Sequence, residues 1–197
     1  LDNDPESEGR IQVRLPMLGD NASPLWARLL CFEAGQDRGA SFVPEIGDEV
    51  LLGFAGDASQ PVVLGALHSS AHPSPLALSD GNHQKGYVSR SGLQLRFDDA
   101  RKSIALSTPA GNQLVLSEDE EGIRLQDSHG NRIVMDAAGI RIESAAKLLL
   151  QAANDARVEA VNLRLQAASQ LDAEGMAGAS LEAGGLVKLR GSIVQIN

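Results

Sequence analysis

The sequence predicts an all-β chain built in two architectures. A small closed barrel is expected over residues 1–72, a linker over 73–90, and a trimeric, intertwined triple-stranded β-helix, or β-prism, over 91–197. Three observations carry this reading: a repeated apolar pattern in the second half, a segregation of aromatic and proline residues into the first, and short alternating segments separated by turn residues there. From Ile140 onward, one apolar track runs Ile140, Leu148, Ala156, Leu163, Leu171, Ala179, Val187, Val194. A second, offset by two, runs Ile142, Leu150, Val158, Leu165, Ala173, Leu181, Leu189, Ile196. Both step by 8, 8, 7, 8, 8, 8 and 7. Between the paired positions lie Arg141, Leu149, Arg157, Arg164, Asp172, Ser180, Lys188 and Gln195, of which only Leu149 is apolar. An apolar–polar–apolar triplet is the signature of a strand with one buried face. Repetition at a nearly constant step means similar small units stacked along an axis.

Residue preference opposes this, because Ser144 to Gly185 is rich in Ala, Leu, Gln and Glu, which favour helices. Geometry decides against a helical coiled coil. At about 100° per residue, a step of eight turns roughly 80° and a step of seven about −20°, so a track would wind round the helix. Residues two apart would also face opposite sides, yet the pairs are apolar together. Gly175, Gly178, Gly184, Gly185 and Gly191 interrupt as well, each costing about 1 kcal/mol in a helix interior.

The six aromatics (Trp26, Phe32, Phe42, Phe54, Tyr87, Phe97) all lie in the first half, and no proline follows Pro109. The first half thus holds the large side chains expected to fill a compact core. The second holds only small and medium aliphatics at fixed spacing. Arg10–Pro16 alternates with Ile11, Val13 and Leu15 on one face; Leu25–Glu33, Glu49–Phe54 and Pro61–Leu67 read as further strands. Several short strands joined by Gly- and Pro-containing turns predict a barrel of the OB type, whose closure removes sheet edges. His68 to Lys85 is rich in turn formers and reads as the linker. From Gly92 the strands follow quickly, and Leu95, Ile104, Leu114, Ile123 and Ile133 step by 9, 10, 9 and 10. Glu118–Gly122 and Asp127–Asn131 are roomier corners than those below.

A net charge of −9 and a pI near 4.9 disfavour binding to phosphate backbones or anionic lipid. Cys31 is the single cysteine, which excludes an intramolecular disulfide. No apolar run approaches the ~20 residues of a membrane span. Leu1 in place of Met leads us to expect an upstream segment.

The stretch Phe42-Val43-Pro44-Glu45-Ile46-Gly47-Asp48-Glu49-Val50-Leu51-Leu52-Gly53-Phe54, followed by Pro61-Val62-Val63-Leu64-Gly65, resembles the OB domain of phage baseplate assembly protein V. That domain also occurs in the VgrG spike proteins of contractile injection systems. Gly9–Val13 and Trp26-Ala27-Arg28 match the opening strands. The resemblance implies a homotrimeric, cell-puncturing spike that passes contraction force to a narrow end. It implies hub, baseplate and inner-tube proteins above, and a PAAR-type cap at a tip formed by Val194, Gln195, Ile196 and Asn197. Assembly would occur in the cytoplasm on a baseplate, with ejection on contraction and membrane contact only by mechanical penetration. Phe42, Pro44, Gly47, Asp48, Glu49, Val50, Phe54, Pro61 and Gly65 carry the OB motif. The hub domain that normally precedes the barrel is not matched here.

No catalytic, metal or cofactor site is expected. His68, His72, His83 and His129 lack close ligand spacing, and the last lies far from the tip where some phage spikes hold iron. Glu118–Glu121 lacks the alternating ligands of a calcium loop. Asp48 and Glu49 read as a turn and strand start rather than a carboxylate pair. A nucleic-acid-binding OB module would need a basic groove and exposed aromatics, which this reading does not supply. A trimeric tail fibre or adhesin shaft is the rival structural class.

Three copies around one axis would pair every strand edge and bury the tracks, with Ile140, Ile142, Leu148, Leu150, Val158, Leu163, Leu165, Leu171, Leu181, Val187, Leu189, Val194 and Ile196 as the core. Leu165→Asp would set three unpaired carboxylates on that axis, at several kcal/mol each. We expect it to abolish assembly in sedimentation equilibrium, whereas Arg164→Asp, on the outward face, should leave the oligomer intact.

Overall fold

A computed structural model describes residues 4–19, 21–56 and 59–195. The chain divides into two units, one up to Lys147 and one from Leu148. All regular structure in the described residues is strand apart from one 3-10 turn at Pro16–Leu18.

The first unit opens with β1 (Ile11–Val13), β2 (Leu25–Leu29), a two-residue hairpin of β3 (Ala34–Gly35) and β4 (Arg38–Gly39), β5 (Val50–Phe54) and β6 (Pro61–Ala66). The four longer strands pair in the order β1-β2-β6-β5, with β2 and β6 parallel and the other pairs antiparallel. Alternation places Val13, Ala27 and Val63 in a buried centre, packed by Ile11, Leu25, Leu29, Val50 and Leu52. No ladder joins β1 to β5 among the described residues. The closed barrel expected from the sequence is therefore seen as an open four-stranded sheet.

The aromatics were expected to fill this core, and they do not. Phe32 is 87% and Phe42 62% exposed, and both lie outside strands. Trp26 alternates out of the core between Leu25 and Ala27. Arg10 sits over its indole at 6.0 Å. Asp4 fixes that arginine, accepting from Arg10 Nη2 at 2.7 Å and from Nε at 3.0 Å. The same carboxylate accepts the backbone N–H groups of Glu8 and Arg10. One acidic side chain thereby closes the turn leading into β1.

From residue 84 the architecture changes. Seven strands follow: β7 (Gln84–Val88), β8 (Gln94–Asp98), β9 (Ser103–Ser107), β10 (Gln113–Ser117), β11 (Gly122–Gln126), β12 (Arg132–Asp136) and β13 (Gly139–Glu143). Each pairs antiparallel with its neighbour in chain order, giving one seven-stranded meander. β7 lies inside the stretch expected as linker. The triple-stranded helix expected from residue 91 is, up to Glu143, a sheet that a single chain forms by itself. The physical reason lies in the step. Five strand residues plus a reversing turn need nine or ten positions, and the sequence spacing supplies them.

The turns carry their own 19-residue repeat. Gly92, Gly111 and Gly130 all take positive φ, at 80°, 95° and 88°, conformations that L side chains rarely adopt. The Ser89 Oγ accepts from the Leu93 N–H, Thr108 Oγ1 from Asn112, and Asp127 Oδ1 from Asn131. At the opposite end Lys102 and Glu121, also 19 apart, take φ of 47° and 51°. Asn112 Oδ1 then accepts the Ser128 N–H at 3.1 Å, and Asn131 Oδ1 the Ala145 N–H at 3.0 Å. At the glycine end the turn at 108–112 is thus fastened to the turn at 127–131, and that turn to the segment after β13.

The second unit contains no strand pairing among its described residues. It bends at 153–154, 161–162, 168–169, 176–177, 184–185 and 192, one bend in each interval between apolar triplets, and the first five start at steps of 8, 7, 8 and 8. These steps are those of the apolar tracks. Between bends the chain is extended: Arg157 pairs with Glu159, and Arg164 Nη2 donates to Gln166 Oε1 at 2.7 Å. Such i, i+2 contacts need both side chains on one side, as in a strand.

The Asp4 carboxyl is held well below the usual carboxylate range, first by its side-chain hydrogen bonds to Arg10. A depressed acid contributes stability above its unfolded pKa of about 3.9 and loses it as pH falls towards the folded value. Protection of the Glu8 and Arg10 amides, after correction for the intrinsic pH dependence of exchange, should therefore hold from neutral pH to about 4 and fall progressively below it. Asp4→Asn should exchange fast throughout and show no such acid step.

Candidate functional site

Antiparallel pairing sets partners on the same face of a sheet, so register converts the spaced triplets into continuous rows. One row runs Tyr87, Leu95, Leu106, Leu114, Leu125, Ile133, Ile142 across all seven strands. Beside it runs Phe97, Ile104, Leu116, Ile123, Met135, Ile140. Steps of 9, 10, 9 and 10 are what alternating strand direction requires to keep both rows on one face. In the single chain this face lies open: Leu106 is 46% and Leu125 49% exposed. An apolar surface of this extent on a free chain marks an interaction face.

The opposite face has another chemistry. Arg96, Ala105, Val115, Arg124, Val134 and Arg141 form its central row, flanked by Gln94, Ser107, Gln113, Gln126, Arg132 and Glu143. Arg132 pairs with Glu143 across β12 and β13, raising the arginine and lowering the acid. Arg124 reaches Glu120 at 3.1 Å, and Lys102 reaches Glu118 at 3.1 Å. The acidic corner at 118–121 is thus spent partly on neighbouring cations. No group of three His, Cys, Asp or Glu side chains that could hold a metal ion occurs among the described residues. No helix there is long and apolar enough to cross a membrane.

In the second unit the track residues stand exposed along the extended chain, from Val187 at 44% to Leu150 at 82%. Leu148, Val158, Leu163, Leu165, Leu171, Leu181, Leu189 and Val194 lie between these limits. Ile140 and Ile142 belong instead to β13 and close the sheet's apolar rows. The expected tip is described as far as Val194 and Gln195; Ile196 and Asn197 lie outside the described residues.

The motif residues of the first sheet divide by role. Gly47 turns the chain at φ 98°, the Asp48 Oδ2 accepts the Glu45 N–H at 2.8 Å, and the Asp48 N–H donates to the Glu45 carbonyl. Asp48 is therefore occupied in holding a turn. The Glu49 carbonyl accepts from the Leu67 N–H, and Val50 packs on the buried centre. Phe54 pairs with Pro61 and Leu51 with Gly65 in the β5–β6 ladder. Phe42 and Pro44 lie in the loop before that turn, and Phe42 faces β7. The Phe42 and Tyr87 rings meet edge-on at 5.2 Å, and Arg90 pairs with Glu45 at 2.8 Å. Gly86 makes the approach of β7 to β8 possible, since a Cβ there would lie 2.2 Å from the Leu95 carbonyl oxygen. Sequence reasoning missed Tyr87 and Arg90, which it had placed in the linker; the strand-favouring pair Tyr87 and Val88 was the available signal.

Residues 2–68 match the family described as the type VI secretion system/phage-baseplate injector OB domain. Residues 103–197 match the phage baseplate V C-terminal trimerisation domain. The type VI secretion system spike protein VgrG4b of Pseudomonas aeruginosa is 41% identical over 104 residues, 47% of this chain and 13% of the relative. Its VgrG2a is 32% identical over 107 residues, 49% of this chain and 13% of the relative. VgrG3 of Vibrio cholerae is 27% identical over 135 residues, 61% of this chain and 13% of the relative. The chain spans about an eighth of the length of these relatives. An injector OB domain followed by a trimerisation domain with an open apolar face places this chain in the phage baseplate V and VgrG spike family.

Proposed function

We propose that this chain is the barrel-and-shaft part of a homotrimeric, non-catalytic spike that pierces a target envelope when a contractile injection machine fires. The observation that carries this is the exposed apolar surface of each unit, the rows of the sheet in one and the tracks of the extended chain in the other, which one chain leaves open. In the sheet the strands still pair with one another. In the eight-residue repeat below it there is no room for a reversal, so both edges of each three-residue strand need another chain. A trimer satisfies both demands at once. Each Leu or Ile moved from half-exposed to buried contributes on the order of 1–2 kcal/mol, and the rows repeat that gain strand after strand.

The barrel sheet would seat the trimer beneath hub and baseplate proteins and the inner tube. The shaft, narrow and stiff because each strand is hydrogen-bonded on both edges, would carry the load. Residues Val194–Asn197 would receive a PAAR-type cap. Deleting Val194–Asn197 should abolish capture of a cognate PAAR-type protein in pull-down while the rest stays trimeric. Capture by the truncated chain at full strength would move the cap elsewhere.

Face discrimination tests the trimer itself. Leu106→Asp places a charge on the apolar rows and should convert the full chain from trimer to dissociated chains in sedimentation equilibrium. Ala105→Asp, one residue away on the arginine-bearing face, should leave the trimer unchanged. A wild-type chain that sediments as a compact monomer at every concentration overturns the reading.

A further inference from the structure

The apolar face does not begin where the trimerisation match begins. β7 and β8 precede residue 103, yet they extend the same sheet, and Tyr87 continues its leucine row by one more strand. Next to Tyr87 the loop before β5 leaves the barrel sheet and lays Phe42 against its ring. Between that loop, the ends of β2 and β6, and β7 lies an open groove of about 530 Å³. Leu30, Phe42, Val43, Val63 and Tyr87 line its apolar part. Phe42, Leu30 and Tyr87 are half-exposed or more.

We propose that this groove is an interface between copies of the chain: the upper continuation of the trimer's apolar core, in which an adjoining copy seats against Phe42 and Tyr87. The inference rests on the trimeric reading above. Continuity carries it, because burying the row from Leu95 to Ile142 against other copies brings Tyr87, and Phe42 upon it, to the same interface. The charged groups at the groove are already engaged within the chain, Glu45 by Arg90 and Asp48 by the Glu45 N–H. With those charges engaged, Leu30, Phe42, Val43 and Tyr87 are what the groove offers the aliphatic rows of a second copy, beside a polar rim. Gly65 and Ala66 keep one wall low enough for close approach. Such a seat would tie each barrel sheet to a neighbouring shaft as well as to its own.

The test uses the full chain in a Cys31→Ser background, carrying Phe42→Cys, Val43→Cys or, as an exposed control elsewhere on the same sheet domain, Phe32→Cys. Sedimentation equilibrium is run first, then labelling of the cysteine with benzophenone-maleimide, illumination and denaturing electrophoresis, because in a three-fold ring these positions meet a different part of the neighbouring copy. Covalent dimers and trimers from Phe42→Cys and Val43→Cys, with none from Phe32→Cys, are the expected result. A trimeric Val43→Cys chain that gives no covalent oligomer overturns the groove interface alone, and it decides the matter if Phe42→Cys fails to assemble. A Cys31→Ser parent that sediments as a monomer overturns instead the trimeric reading on which the proposal stands.

Discussion

A polypeptide strand has two edges and two faces, and burying one face while leaving the others unanswered is not stable in water. That constraint organises this molecule from residue 84 onward. In the meander, neighbouring strands of the same chain answer the edges, and one face remains apolar and open. In the eight-residue repeat, the chain answers neither edge nor face. The demand for partners therefore grows along the chain, from covering one face to completing the hydrogen bonding itself. Membership of a family with a C-terminal trimerisation domain supplies the partner chemistry that the exposed surface calls for.

The polar features serve the same end. Ser89, Thr108 and Asp127 fold their side chains onto the turns that follow, and glycines two residues before each next strand absorb the left-handed backbone. Asn112 and Asn131 link one turn to the next, so the sheet end is tied along its length without any apolar contact. On the opposite face, arginines stand beside Val and Ala in the ladder, Arg96 opposite Ala105 and Arg124 opposite Val115 and Val134. This division keeps the second face soluble and makes association through the wrong side unfavourable.

The barrel sheet follows another logic. Its buried centre is small, built from Val13, Ala27 and Val63, and the large aromatics lie outside it. Trp26 is covered by Arg10, and Phe42 meets Tyr87. The aromatic side chains thus work at junctions, one clasping the turn into β1 and the other joining the barrel sheet to the meander. Composition alone suggested a conventional core, because it registers that large side chains are present and not where they point.

The period and the strands up to Glu143 were legible from sequence, since alternation and step length are local properties of the chain. The bends of residues 148–195 fall between the triplets that spacing had marked, because an extended triplet leaves only the intervening residues to turn. The motif at residues 42–54 pointed to an injector-type OB domain, and Gly47 and Asp48 build its turn from local backbone chemistry. Tertiary structure alone decided that residues 84–143 form a single-chain meander, that β7 belongs to it, and that β2 runs parallel to β6. It also decided which aromatics meet. These are questions of partner and register, settled by contacts between residues distant in sequence. A strand's periodicity says which face is apolar and is silent about which strand, or which chain, lies beside it.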